Sequence, residues 1–313
     1  MNVTSIFMAM IQLFLILIVG WAGQKSRVLP DSAQAVLTKL VVYITTPCTI
    51  LYSVLSNDNL PGLGTLAELL ILSTLCHLLA AAIAWGAVRL LRVPQGSRGT
   101  YMCMLIFSNC GFIGFPVVQA IFGGEAVFYN AVVNIPFYPI LYTLGVGLLA
   151  RDGARRGGEA RKLELKWSTF VSPCLVASLL AIVLALTGWK LPQVLTDTVA
   201  TIGNITTPGA LLVIGISIAK QPLRRMLGSP RIYALAALRL VGLPVLLWLG
   251  LRWFIADPVV LGVIVVVFAM PTATMVSMLA GEYGGDEEAA IQGVFLTTLL
   301  SMVTIPLLMA LLM

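Results

Sequence analysis

The two halves of this chain are copies of each other, and no other feature constrains its fold as much. Ile44-Thr45-Thr46-Pro47 recurs as Ile205-Thr206-Thr207-Pro208, and Phe122-Gly123-Gly124-Glu125 recurs as Tyr283-Gly284-Gly285-Asp286. Both echoes lie at an offset of 161 residues, with no gap between them. The same offset lays Phe107 on Phe268 and Gly111 on Thr272. Chance produces one four-residue echo; two in one register mark an internal repeat.

What repeats is membrane-spanning material. Of 313 residues, 59% are hydrophobic and 10% charged, far from the balance of a soluble domain. A spanning helix takes about 20 apolar residues. Such segments fall at 4–23, 33–55, 66–90, 99–122, 126–150, 168–187, 193–219, 231–253, 258–281 and 288–312. The expected fold is an all-α polytopic membrane protein of ten transmembrane helices. Residues 1–150 form the first five-helix repeat, 151–167 a basic linker, and 168–313 the second repeat. The first segment has no positive stretch ahead of its apolar run, so it is read as a retained span and not a signal peptide. Five spans is an odd number, so the second copy enters the membrane inverted. That is the architecture of secondary transporters.

Charge sets the orientation. With the amino terminus outside, the inner loops hold Lys25 and Arg27; Arg89, Arg92 and Arg98; Arg151, Arg155, Arg156, Arg161, Lys162 and Lys166; and Lys220, Arg224, Arg225 and Arg231. Lys190 and Arg252 lie on the other side. Basic loops stay in the cytoplasm, so both termini are expected on the outer, periplasmic side, in a bacterial inner membrane. The net charge of +6 is then topological and calls for no nucleic-acid partner. Cys48, Cys76, Cys103, Cys110 and Cys174 lie in apolar segments without a CxxC pair and read as small buried hydrophobes. The spans carry no mid-depth carboxylate, metal-ligand cluster, Ser–His motif or P-loop. Enzyme chemistry, a bound metal, a cofactor and ATP-driven pumping therefore find no support.

The fourth and ninth segments are interrupted at corresponding positions. Phe107-Ser108-Asn109-Cys110-Gly111-Phe112-Ile113-Gly114-Phe115-Pro116 faces Ala269-Met270-Pro271-Thr272-Ala273-Thr274. Glycines weaken a helix, and proline removes a donor and crowds the carbonyl four residues back. Pro47, Pro116, Pro208 and Pro271 are accordingly read as helix-breaking. In lipid the freed backbone groups are tolerated only beside protein or a water-filled cavity. Half-helix N-termini there suit an anion, while C-termini and unwound carbonyls suit a cation.

These strings carry a resemblance. Ser108 to Pro116, Ala269-Met270-Pro271 with Leu279-Ala280-Gly281-Glu282-Tyr283, and Thr297 to Pro306 together resemble the auxin efflux carrier family in its bacterial form. The resemblance implies a fold shared with bile acid–sodium symporters. It also implies crossed helices 4 and 9, a scaffold of helices 1, 2, 6 and 7, and a transport domain of helices 3–5 and 8–10. Homodimerisation through the scaffold and a substrate carboxylate close to Asn109 are implied as well.

Residue by residue, Asn109 is the leading candidate, since a buried amide offers two donors and an acceptor to a carboxylate or an ion. Cys110 lies beside it in the interrupted stretch. Gly111 and Gly114 either permit close approach of helix 9 or offer backbone to a ligand. Pro271 shapes the site, and Thr272 and Thr274 cap a half-helix or touch the ligand. Thr45 and Thr46, like Thr206 and Thr207, either restore carbonyls freed by a proline or line the cavity. Asn130 and Asn134 share one helix face and either pack polar against the crossover or bind ligand. His77 and Arg239 occupy near-equivalent repeat positions. His77 is a proton-coupling candidate or a core histidine; Arg239 attracts an anion or holds helix C-terminal carbonyls.

The expected function is a secondary transporter, a permease or efflux carrier for small organic anions such as carboxylates or auxin-like acids. The mechanism is elevator-type alternating access, with transported Na+ or H+ as the open coupling options. The alternatives are a sodium-coupled bile acid-type symporter and a membrane sensor that binds without transport.

Overall fold

Proline, and the turn before it, shapes most of the helices. In the computed structural model, residues 3–57, 60–157, 172–220 and 228–312 are described. Three wide π-type turns end two residues before a proline. They are Val41–Thr45 before Pro47, Cys110–Gly114 before Pro116 and Leu238–Gly242 before Pro244. Proline has no N–H for the carbonyl four residues back, and its ring crowds that carbonyl. Widening the turn by one residue accommodates both problems: Thr46 N–H reaches back five residues to the Val41 carbonyl.

The expected helix breakers therefore differ in what they do. After Pro47 and Pro116 the chain stays helical, through Thr46–Leu55 and Phe115–Phe122. In the seventh segment the interruption falls at Asn204 and Ile205. Pro208 sits in the first turn of Thr206–Lys220, where a missing N–H costs little. Pro271 alone of the four lies in a non-helical stretch.

Among the described residues seven helices are long and apolar enough to cross a membrane: Phe7–Lys25, Ala33–Leu55, Leu63–Leu90, Ala126–Arg155, Gln193–Lys220, Pro230–Leu251 and Glu287–Leu312. Shorter apolar helices are Cys110–Phe122, Pro173–Thr187 and Pro258–Ala269. Among the described residues there is no strand, only one isolated antiparallel bridge between Ser108 and Thr272. The helix Val146–Arg155 runs five residues past the expected end of its segment, so the basic linker begins as helix. Arg161, Lys162 and Lys166 of that linker, and Arg224 and Arg225, lie outside the described residues. Gly123 and Gly284 each end a helix at positive φ, +89° and +75°, a conformation that glycine adopts without steric cost.

By contact the chain gathers into two compact units. The first comprises Met1–Ile71, Gly111–Ile135 and Val171–Gln221. Within it, Val3–Lys25 lies along Thr206–Lys220 at backbone distance. A Cβ on Gly215 would stand 2.1 Å from the Leu17 carbonyl oxygen, and one on Gly20 2.6 Å from that of Leu212. Small residues let spanning helices approach this closely. Thr46–Leu55 packs on Pro173–Thr187 and Gln193–Gly203. There the Thr49 hydroxyl donates to the Gly203 carbonyl at 2.8 Å and meets the Thr206 hydroxyl at 2.7 Å. Those bonds hold the chain at the Asn204–Ile205 interruption.

The second unit comprises Leu72–Cys110, Pro136–Phe170 and Pro222–Met313. Glu287–Leu312 runs through it against Arg98–Ile106, Pro230–Ala237 and Thr274–Tyr283. The buried Asp152 caps Arg98–Ile106 from outside that helix, accepting from the Gly99 and Thr100 N–H groups at 3.0 and 2.7 Å and from the Thr100 hydroxyl at 3.0 Å. A carboxylate is favoured at a helix N-terminus, where N–H groups lack internal partners.

Candidate functional site

Two helices of the second unit stop abruptly and their ends pair with each other. Arg98–Ile106 gives way to extended backbone at Phe107 (φ −98°, ψ 115°). Pro258–Ala269, whose N-terminus the Asp257 side chain caps, gives way at Met270 (φ −61°, ψ 150°). The Asn109 N–H then donates to the Pro271 carbonyl at 2.8 Å, and the Ala273 N–H to the Phe107 carbonyl at 3.0 Å. These two bonds make the bridge between Ser108 and Thr272. Each unwound segment thus satisfies part of the other's freed backbone, as an apolar medium requires. A new helix, Thr274–Tyr283, starts directly afterwards.

The helix ends are closed by side chains from elsewhere in the unit. The Thr272 hydroxyl donates to the Met104 carbonyl at 3.0 Å, and the Thr272 N–H donates to the Thr297 hydroxyl at 3.0 Å. Arg239, fully buried, donates from Nη1 to the Leu105 carbonyl at 2.6 Å and from Nε to the Met270 carbonyl at 3.1 Å. One guanidinium therefore spans the C-terminal ends of both interrupted helices. Its Nη2 and the Ser108 hydroxyl meet no hydrogen-bond partner, and no carboxylate pairs with Arg239, among the described residues. Two helix C-termini supply roughly half a negative charge each, which offsets the arginine. The reading of Arg239 as a holder of C-terminal carbonyls is the one this geometry matches.

His77 is buried against the rings of Phe137 and Phe268, with centroids 6.3 and 4.9 Å away. Its Nδ1 faces the Ser73 carbonyl at 2.8 Å, and its Nε2 has no partner among the described residues. Asn109 is buried and follows the bridge residue Ser108 in the chain, and Cys110 opens the wide turn that comes next. Thr274 is the first residue of its helix. Asn109, Cys110, Pro271, Thr272, Thr274, His77 and Arg239 thus all belong to the second unit.

The other candidates belong to the first unit. Thr45 is buried with its hydroxyl 3.5 Å from the Val41 carbonyl in the wide turn, and Thr46 begins the next helix. The Thr207 hydroxyl donates to Gln119 Oε1 at 3.2 Å. Asn134 ends the helix Ala126–Val133 and donates from Nδ2 to the Asn130 carbonyl at 2.8 Å and its Oδ1 at 3.0 Å. The chain turns there before Pro136 and resumes at Phe137, an interruption of the fifth segment that its continuous apolar composition conceals. Gly114 leads into Phe115–Phe122.

At Gly111 a Cβ would meet no atom within 4 Å. Within the first unit, therefore, no neighbour packs tightly against this glycine, and there is open space beside it. Gly111→Ala should leave the melting temperature of the ligand-free protein nearly unchanged, a shift of about 0.5 kcal/mol or less. If a ligand uses the open space, the same variant loses ligand affinity about tenfold, which isothermal titration would read.

Three residues that the sequence did not single out take structural parts here: Ser108 in the bridge, Thr297 behind Thr272, and Asp152 at the start of Arg98–Ile106. Ser108 and Thr297 stood in the sequence only within the strings that carry the resemblance, and Asp152 only as one of several acids among the basic residues after the fifth segment. Among the described residues no three His, Cys, Asp or Glu side chains cluster as metal ligands. A small cation at this site would have to use carbonyl, amide and hydroxyl oxygens.

Comparison with known proteins adds a family and three relatives. A family described as "Membrane transport protein" matches residues 5–309. An uncharacterized transporter of Methanothermobacter thermautotrophicus is 24% identical over 95% of both chains, and one of Methanocaldococcus jannaschii is 23% identical over 94% of both. A Rhizobium meliloti protein named "Putative malonate transporter" is 24% identical over 88% of this chain and 86% of its own.

Proposed function

This chain belongs to the membrane transport protein family, that of the auxin efflux carriers, and on that premise we propose that it carries small organic anions, carboxylates foremost, across a membrane. It is a transporter and not an enzyme. The observation that carries the proposal is the pairing of the two interrupted helices. Their C-terminal ends are closed by Arg239 and Thr272, so no negative end is left open to repel an anion. The positive N-terminus of Thr274–Tyr283 and the amide of Asn109 follow directly after the bridge and suit a carboxylate. The malonate named for the Rhizobium relative is a dicarboxylate, which supports the same substrate class.

In this proposal the ten segments form two inverted five-helix repeats with both termini on the periplasmic side of a bacterial inner membrane. Helices 1, 2, 6 and 7 make a scaffold that also joins two copies. Helices 3–5 and 8–10 carry the anion by an elevator-type movement. Direction follows from charge. An inside-negative potential of about 100 mV favours exit of a monoanion by about 2.3 kcal/mol, so efflux needs no coupled ion. Uptake of a dianion opposes about twice that and requires co-transported Na+ or H+.

The test is thermal stability of the purified protein with malonate, other carboxylates and Na+, followed by flux in liposomes. A carboxylate at about 100 times its dissociation constant stabilises by about 2.7 kcal/mol. Asn109→Ala abolishes that gain while leaving the ligand-free melting temperature within a few degrees. Stabilisation by Na+ alone would instead favour a sodium-coupled bile acid-type symporter. Saturable carboxylate binding without flux would favour a sensor.

A further inference from the structure

We propose that a cleft at the arginine-bearing end of the second unit binds the phosphate headgroup of an anionic lipid. The cleft has a volume of about 250 Å³ and lies among the ends of three helices, Leu63–Leu90, Arg98–Ile106 and Val146–Arg155. Arg89, Arg98, Arg151 and Arg155 line it, with Asp152 as its single carboxylate. That carboxylate is committed to the Gly99 and Thr100 N–H groups. Among the described residues none of the four arginines forms an ion pair. Among the described residues the lining therefore carries a net charge of about +3, four arginines against one carboxylate.

Three of the guanidiniums are positioned and still have donors left. Arg89 gives one N–H to the Trp85 carbonyl at 2.9 Å and Arg98 one to the Val93 carbonyl at 3.0 Å. Arg155 gives one to the Gln95 carbonyl at 3.4 Å. Each guanidinium has five N–H groups, and the fork that remains matches a phosphate's oxygens.

Trp85 sets the depth of the cleft. It is 57% exposed, and the Arg89 guanidinium lies 3.3 Å from the centre of its ring. Tryptophan at the end of a spanning helix settles at headgroup level. Val88, Met102 and Leu148 form an apolar wall that suits the glycerol and first methylenes of a lipid, whereas free phosphate has no use for it. Basic pockets between spanning helices hold anionic headgroups by this combination of charge and depth.

The experiment uses the full chain, purified in detergent and reconstituted into nanodiscs of phosphatidylcholine with or without phosphatidylglycerol. Native mass spectrometry counts retained phosphatidylglycerol, and melting temperature reports its effect. Wild type should retain the anionic lipid and melt higher with it. Each arginine near a charged surface contributes a factor of about five in affinity, so Arg89→Gln with Arg151→Gln should retain it about 25-fold more weakly. Arg252→Gln, at an exposed arginine stacked on Trp248 and Trp253, should match wild type. Melting in pure phosphatidylcholine shows that the pair variant folds; should it not, Arg151→Gln alone carries the comparison with a fivefold loss. Equal retention by wild type and the glutamine variants overturns the proposal. So does an equal melting shift from inorganic phosphate alone, which would make the cleft a site for a soluble anion.

Discussion

Arg239→Gln lowers the melting temperature by about 8 °C and abolishes transport. The buried guanidinium is the donor for the Leu105 and Met270 carbonyls. A buried acceptor left without a donor costs about 1–3 kcal/mol, so losing both costs about 4 kcal/mol. At about 2 °C per kcal/mol for a chain of this size, the shift follows. Electrostatics adds in the same direction, because two helix C-termini of roughly half a negative charge each would face each other across the bridge uncompensated. Arg239→Lys keeps the charge but offers a point ammonium where a fork spans two carbonyls, so it should recover about half of the loss. Melting curves of the three proteins check this. A Gln variant melting within 2 °C of wild type would remove the clamp from the account. The lysine variant also separates two roles. If Nη2 holds the substrate, malonate protects wild type only; if Arg239 only closes the helix ends, malonate protects both.

The second large effect is expected at Gly215. An alanine there puts its methyl 2.1 Å from the Leu17 carbonyl oxygen and 2.7 Å from the Trp21 nitrogen. Both are backbone atoms of a helix, so no rotamer change relieves the clash; Val3–Lys25 and Thr206–Lys220 must separate. Overpacking costs typically 1–3 kcal/mol where neighbours yield, and here the loss should be about 3 kcal/mol or more. Gly215→Ala should therefore give a much reduced yield of monodisperse protein in size-exclusion chromatography. Gly86→Ala, where a Cβ meets nothing within 4 Å, is the control and should behave as wild type. A Gly215→Ala protein with wild-type yield and melting would show that the two helices can part without loss.

Much of this was legible in residues, because much of it is local. The apolar composition announced spanning helices, and the 161-residue echo marked the fourth and ninth segments as the places to look. Gly123 and Gly284, 161 residues apart, both end helices at positive φ, although only Gly284 takes the left-handed helical conformation. Local chemistry also misled. Pro116 and the glycines of Phe107–Pro116 pointed to a break around themselves, but the chain unwinds at Phe107–Asn109. A wide turn absorbs Pro116 without ending the helix. Gly111 read either as a place of close approach or as backbone offered to a ligand, and within its own unit a Cβ there would meet no atom.

What the sequence determined alone is the class of molecule: an all-helical membrane protein of a transporter family, with its fourth and ninth segments interrupted. Such features follow from period, hydropathy and proline chemistry within a few residues. The tertiary structure decided the partners. Asn109 pairs with Pro271, Thr272 with Met104, and Arg239 with Leu105, across separations of more than a hundred residues. Each of these bonds exists because an unwound backbone group, out of reach of water, takes whichever donor or acceptor folding brings beside it. Which one arrives is set by the packing of whole helices, and no short stretch of sequence records it.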